Sequence, residues 1–244
     1  MLNILVTGIS GRMGCAVRQA VEAHPDTALA ATHDVGQDIT AALEKADIAI
    51  DFSFHGFTAE LLKAAVAQGK PLVIGTTGHT DAERAAIAEA ATRIPIVFAS
   101  NFSVGVNTLF WLTRKATRIL KDYDIEIVEM HHRHKLDAPS GTARTLAEVV
   151  CAETGMDYAA DVAHGRQGLV GERPQRQVGM HSLRGGDVVG DHTVMFATEG
   201  ERVELTHKAS SRMTFASGAV RAAVWLAGKP AALYSMQDVL GFTD

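Results

Sequence analysis

The chain has 244 residues, 47% hydrophobic and 21% charged, with a formal net charge of −5 and a pI near 6.1. That supports one large or two modest globular domains and excludes a disordered chain; the acidic balance argues against general nucleic-acid binding. Two cysteines, Cys15 and Cys151, make no disulfide framework, and no apolar run is long enough to cross a bilayer, so no membrane association and a cytoplasmic location are expected.

Met1 leads straight into a short apolar run, Leu2 to Thr7, without a signal-peptide pattern. The turn Gly8-Ile9-Ser10-Gly11-Arg12-Met13-Gly14 and a helix to about Ala23 follow. A strand, a glycine-rich turn and a helix at this position open a dinucleotide-binding βαβ unit, although the spacing is GxxGxxG, with Ser10 where the commoner motif has its second glycine. Ala28 to Thr32 reads as the second strand, with Asp34 just past its end. An acid there either hydrogen-bonds the adenosine ribose or merely begins a loop turn.

A short helix (Ile39 to Glu44), a strand (Asp47 to Phe52), a helix (Thr58 to Gln68) and a strand (Pro71 to Ile74) come next. The turn Gly75-Thr76-Thr77-Gly78, a helix (Asp81 to Thr92) and a fifth strand (Ile94 to Ala99) complete the alternation. This order predicts an α/β fold, an N-terminal Rossmann-like, doubly wound parallel sheet with its ligand at the carboxyl ends of the strands.

After Asn101-Phe102-Ser103 the alternation stops. Asn107 to Leu120 reads as a helix with Leu109, Phe110, Trp111, Leu112, Ala116, Ile119 and Leu120 as core. The apolar run Ile125 to Val128 leads into EMHHRHKLDAPSGTA (129–143), and Leu146, Val149 and Val150 follow at helical spacing. The basic cluster His131, His132, Arg133, His134 and Lys135 therefore falls on a strand-to-helix loop, with Ser140 as N-cap and Gly141 and Thr142 in the first turn. Such a helix start offers N–H donors to an anion, beside a histidine that exchanges protons near neutral pH. A solvated basic surface is the bland alternative. Zinc fits poorly, because the histidines lie at i, i+1 and i+3, no cysteine is near and Lys135 repels a dication, so no metal is expected.

Tyr158 to Gln175 looks poor in regular structure. Gln177 to Leu183, Asp187 to Ala197 and Arg202 to His207 read as antiparallel strands, and a helix from about Phe215 to Leu226 plus a short tail close the chain. The expected organisation is a dinucleotide-binding domain of residues 1–102, completed by 213–244, and an inserted α+β substrate and oligomerisation domain of residues 103–212.

GISGRMG, IGTTG, NFSVGVN, HHRHKLDAPSGTA and THKASSRMTFASGAV together resemble the 4-hydroxy-tetrahydrodipicolinate reductase (dihydrodipicolinate reductase) family, from the first strand to the last helix. The resemblance implies hydride transfer from NADH or NADPH to C4 of a dehydrated, doubly carboxylated cyclic imine, then protonation of the enamine, in the diaminopimelate route of lysine biosynthesis. His131 matches the family's proton donor and Lys135 its second acid/base residue. His132, Ser140, Gly141 and Thr142 match the residues that hold the substrate carboxylates. Gly8, Ile9, Ser10, Gly11, Arg12, Met13, Asp34, Gly75, Thr76, Thr77, Ala99, Ser100, Asn101 and Phe102 match the cofactor contacts. The family resemblance also implies a homotetramer, with the second domain supplying the intersubunit sheet.

Two departures stand out. The segment between the second and third strands is shorter than in many members, and Val35 stands where some carry an arginine for an NADP 2′-phosphate. Asp34 without that arginine points to NADH as the preferred cofactor. Arg212 either adds a cation to the site or pairs with a surface acid. The competing readings are another Rossmann-type dehydrogenase of a small dicarboxylate and a non-catalytic NAD-sensing protein; a sensor has no need of His131 and Lys135 beside a carboxylate nest.

Overall fold

The computed structural model describes residues 1–242. The chain divides into two compact units, one of residues 1–104 with the chain from Arg212 onward, the other Gly105–Ser211.

In the first unit, six parallel strands run in the order β11-β5-β4-β3-β1-β2. They are β1 (Leu2–Thr7), β2 (Thr27–His33), β3 (Ile48–Asp51), β4 (Leu72–Ile74), β5 (Ile96–Phe98) and the two-residue β11 (Leu233–Tyr234). Side-chain alternation along a strand sends successive residues to opposite faces, and here both faces are covered. Ile4, Val6, Ile48 and Ile50 pack with α1 (Arg12–Ala23) and α8 (Met213–Leu226). Leu5, Ala49, Leu72 and Ile74 pack on the other face with α2 (Ile39–Glu44), α3 (Thr58–Gln68) and α4 (Asp81–Ala90). The short tail after α8 contributes β11 and a short helix, α9 (Met236–Leu240), and Tyr234 packs edge-on to Trp225 at 5.2 Å. Two residues are too short a run for periodicity to register.

The second unit has a five-stranded mixed sheet, ordered β10-β9-β6-β8-β7. Its strands are β6 (Asp124–His131), β7 (Val162–His164), β8 (Val178–Arg184), β9 (Gly190–Thr198) and β10 (Glu201–Ala209). The strand expected at Gln177 to Leu183 is not antiparallel: β8 runs parallel to both β6 and β7, while β9 and β10 are antiparallel. The reason lies in the preceding stretch, where α7 (Tyr158–Asp161) and β7 occupy part of the segment expected to be irregular and set the direction in which β8 returns. The rest is pinned to β6 by a charge cluster. Arg166, Arg173 and His181 donate to the Glu126 carboxylate at 2.8–3.0 Å. Burial pushes that carboxyl up, yet these three donors hold it down at about 2.

One face of this sheet is covered by α5 (Val104–Ile119) and α6 (Gly141–Thr154). The apolar stripe of α5 differs from the sequence reading: Val106, Leu109, Phe110, Thr113 and Thr117 are buried, while Leu112 and Ile119 are exposed. Two threonines mimic a polar face, which is why hydrophobicity alone misplaces the stripe. One of them, Thr117, spends its hydroxyl on the Thr113 carbonyl one turn back at 2.8 Å.

Candidate active site

The first unit gathers its candidate ligand residues at the carboxyl ends of β1 to β5. The chain reverses strand order between β1 and β3, the switch point where doubly wound sheets bind ligands. Gly8 adopts φ 70°, and a side chain there would meet the Phe52 carbonyl at 2.4 Å. A β-carbon on Gly14 would stand 2.1 Å from the Gly8 carbonyl, so α1 can lie this close to β1 only with glycine at both points. Gly8 and Ile9 donate to the His33 carbonyl, Gly11 donates to Gly8, and α1 begins at Arg12 and Met13.

A cavity of about 510 Å³ opens beside this turn, lined by residues that include Gly8, His33, Asp34, Gln37, Ser53 and Phe57. His33 stacks on Phe57 with centroids 4.9 Å apart and rings 17° from parallel. Asp34 sits at the rim, its carboxyl held below the usual range by hydrogen bonds from Ser10 and the Val35 amide. A tight glycine turn, a helix start, an aromatic-walled cavity and an anchored acid fit the adenosine end of a dinucleotide. The lining includes two acids, Asp34 and Glu60, and neither lysine nor arginine.

Thr76 and Phe102 occupy different places from those of direct side-chain contacts. Phe102 is buried in the core, edge-on to Phe52 at 5.7 Å, which leaves only its backbone for a ligand. Thr76 gives its hydroxyl to Asp51 at 2.6 Å. Asp51 is fully buried and also accepts the hydroxyls of Thr7 and Ser53, each at 2.5 Å. This hub ties together the ends of β1, β3 and β4 and was missed in the sequence, since only strand order makes Thr7, Asp51 and Thr76 neighbours. Gly75, Thr77, Ala99, Ser100 and Asn101 lie on the segments just beyond β4 and β5.

In the second unit the basic loop is built on the central strand. The buried positions of β6 are Ile125, Ile127, Glu129 and His131, so the face that starts apolar ends in an ion pair. His131 Nδ1 lies 2.5 Å from Glu129 Oε2. Arg184, beside His131 in the β6–β8 register, donates to both Glu129 oxygens at 2.9 and 2.8 Å. Burial pushes the Glu129 carboxyl up, but hydrogen bonds from His131 and Arg184 hold it well below the usual carboxylate range. On the far side of His131 stands His192, its ring edge-on at 5.2 Å. Burial, reinforced by the neighbouring His131, pushes His192 down to about 3. A β-carbon on Gly190 would come 3.0 Å from His131 Nε2, so glycine leaves room at that nitrogen.

The loop after His131 is pinned by backbone bonds, from His132 N–H to the Val188 carbonyl and from Arg133 N–H to the Gly186 carbonyl. Lys135 is half-buried and pairs with Asp137 at 2.9 Å, a partner the sequence did not reveal. Ser140 caps α6 as expected, accepting the Ala143 amide, but it is buried and its hydroxyl also meets His192 Nε2 at 3.0 Å. Its side chain is thereby committed to structure. Gly141 and Thr142 form the first turn of α6, where amides and the positive end of the helix suit a carboxylate. Glu129 was missed as well, although alternation from Ile125 places it on the core face; Arg184 and His192 become its neighbours only through the sheet register.

Residues 2–102 match the family model described as dihydrodipicolinate reductase, N-terminus, and residues 105–240 the one described as its C-terminus. A 4-hydroxy-tetrahydrodipicolinate reductase of Akkermansia muciniphila is 66% identical over 245 residues, covering 100% of both chains. The enzyme of that name from Thiobacillus denitrificans is 49% identical over 263 residues, covering 98% of each. Among solved structures, dipicolinate-bound dihydrodipicolinate reductase from Paenisporosarcina sp. TG-14 shares the fold, with TM-score 0.77, 23% identity and 98% of each chain covered.

Proposed function

The chain belongs to the dihydrodipicolinate reductase family, and on that premise we propose how its residues reduce the dehydrated cyclic imine of 4-hydroxy-tetrahydrodipicolinate to tetrahydrodipicolinate with NAD(P)H. The product feeds the diaminopimelate route to lysine. The first unit binds the dinucleotide through Gly8 to Met13, Asp34, Gly75 to Thr77 and the backbone of Ala99 to Phe102. The nicotinamide, when bound, supplies the hydride. The second unit holds the substrate, with one carboxylate on the amides of Gly141 and Thr142 and on the Thr142 hydroxyl, and further charge compensation from His132 and Lys135. Ser140 acts from behind, fixing the helix start. His131 delivers the proton to the enamine from Nε2, since Nδ1 is engaged by Glu129. Lys135 stabilises negative charge and serves as second acid.

The observation that carries this reading is the buried Arg184–Glu129–His131 array ending at the first turn of α6: an oriented acid beside an anion nest. NADH is the better cofactor in this proposal, because the cavity presents Asp34 and Glu60 and no cation to a 2′-phosphate. Assembly is a homotetramer through the second unit, supported by its edge strand β10, exposed along most of its length. No helix among the described residues is long and apolar enough to cross a membrane, and a biosynthetic role with an NAD(P)H supply places the protein in the cytoplasm. Enzymically made substrate with NADH tests the activity. Substrate-dependent loss of absorbance at 340 nm is expected, and its absence from folded protein overturns the reading. Light scattering tests assembly, with a mass four times the 26.0 kDa chain expected.

A further inference from the structure

We infer that Glu129 is the positioning residue of the proton-transfer step: it fixes the tautomer and orientation of His131 and couples both to the substrate nest. The inference rests on the role proposed for His131. Its basis is that one fully buried carboxylate accepts from His131, from Arg184 twice, from the Ser140 amide and from the Ser182 side chain. Oε2 takes His131 Nδ1 and Arg184 Nη1, and Oε1 takes Arg184 Nη2 and the amide of Ser140 at 3.2 Å. Arg184 also donates to the Asp137 carbonyl at 2.7 Å, so the same cation holds the loop that carries Lys135.

The geometry leaves the imidazole one role per nitrogen. A carboxylate paired bidentately with arginine has only acceptor capacity, so His131 must donate from Nδ1. Neutral His131 is then the Nδ1–H tautomer with a lone pair on Nε2, and its protonated form carries the transferable proton there. Gly190 leaves space at that nitrogen. The charged and titratable groups around the ring are Glu129 on its own strand, Arg184 on β8, His192 on β9 and Lys135 with Asp137 on the following loop, while His207 of β10 pairs with His192 in the ladder. Glu129 supplies the negative charge in direct contact with the ring. Arg184 already engages both its oxygens, so a glutamine at 129 would turn its carbonyl to Arg184 and its NH₂ to Nδ1. That reverses the tautomer and removes the negative charge in contact with the ring, much as an amide does in place of the buried carboxylate of a hydrolase triad.

Three measurements test this. Nitrogen-15 NMR of the wild-type protein should place the neutral His131 proton on Nδ1; a proton on Nε2 overturns the inference without any variant. Glu129→Gln should lower kcat roughly 10²-fold or more and shift the alkaline limb of its pH profile down by about one unit or more. NADH affinity, read by fluorescence titration, should stay within about twofold. Glu129→Asp keeps the charge, so its limb should return toward the wild-type position even if kcat remains low. A Glu129→Gln protein with wild-type kcat and an unmoved limb overturns the inference; if it does not fold, the wild-type tautomer and the Glu129→Asp profile decide. Absence of turnover in the wild type would instead refute the proposed function, while the tautomer measurement still judges the positioning.

Discussion

The carboxylate of Asp34 accepts the Ser10 amide at 2.8 Å with one oxygen and the Val35 amide at 2.9 Å with the other. An acid anchored by backbone on both sides cannot easily swing away from a ligand at the cavity rim.

NADH is expected to give a kcat/KM roughly 5- to 30-fold above NADPH, because a 2′-phosphate would meet Asp34 at short range. Val35 is 97% exposed, so Val35→Arg costs no packing and should narrow or reverse the gap through a phosphate contact. Steady-state kinetics with both cofactors decides the matter, and equal or better kcat/KM with NADPH refutes the assignment.

His131→Gln should lower kcat by roughly 10²-fold or more, the loss expected for a general acid. Lys135→Ala should damage kcat and KM together, and it also leaves Asp137 without its ion-pair partner. Near-normal turnover in the His131 variant would reject its role as proton donor.

Pyridine-2,6-dicarboxylate, flat and doubly anionic, should compete with substrate at the α6 helix start. Thr142→Val should weaken that inhibition and leave NADH affinity nearly unchanged, because NADH belongs to the other unit. Competition with NADH alone would mean that the carboxylate nest lies elsewhere.

Most of the first unit was legible in the sequence because its signals are local. Alternating runs, glycine turns and capping residues gave β1, α2 and α3 with the ends they have. The second unit was less so: the direction of β8 depends on where β7 pairs, and β7 is only three residues long. The same holds within the site. His131 and Lys135 stood out by type and spacing, whereas Asp51 meets Thr76 across 25 residues of sequence, Arg184 meets Glu129 across 55 and His192 meets Ser140 across 52.

Stability should fall with acid earlier than carboxylates alone dictate. His192 titrates at about 3 in the fold against an ordinary 6.5, so between those values the unfolded chain binds a proton that the folded one refuses. Stability is then lost as pH drops below 6.5, by about 1.4 kcal/mol per pH unit for one such group. His79 and His207, also pushed down by burial, act in the same direction. Urea unfolding at pH 7.5, 6 and 5 should show this slope, and His192→Gln should reduce it by about one proton; an unchanged slope in the variant rules His192 out as a source.

Strand β6 changes character halfway along one face, from Ile125 and Ile127 to Glu129 and His131. Selection for robustness and selection for turnover therefore act in opposite directions on adjacent rungs of a single ladder. Replacing a buried ion pair with well-packed apolar residues is often neutral or favourable by about 1–4 kcal/mol. A His131→Leu, Glu129→Met, Arg184→Leu triple variant leaves only the Ser140 amide, among the buried donors to Glu129, without its acceptor, and should thus melt close to the parent while losing its chemistry. A heat-based screen would pass such inert chains, so stabilised versions of this protein must be chosen by rate as well as by melting temperature.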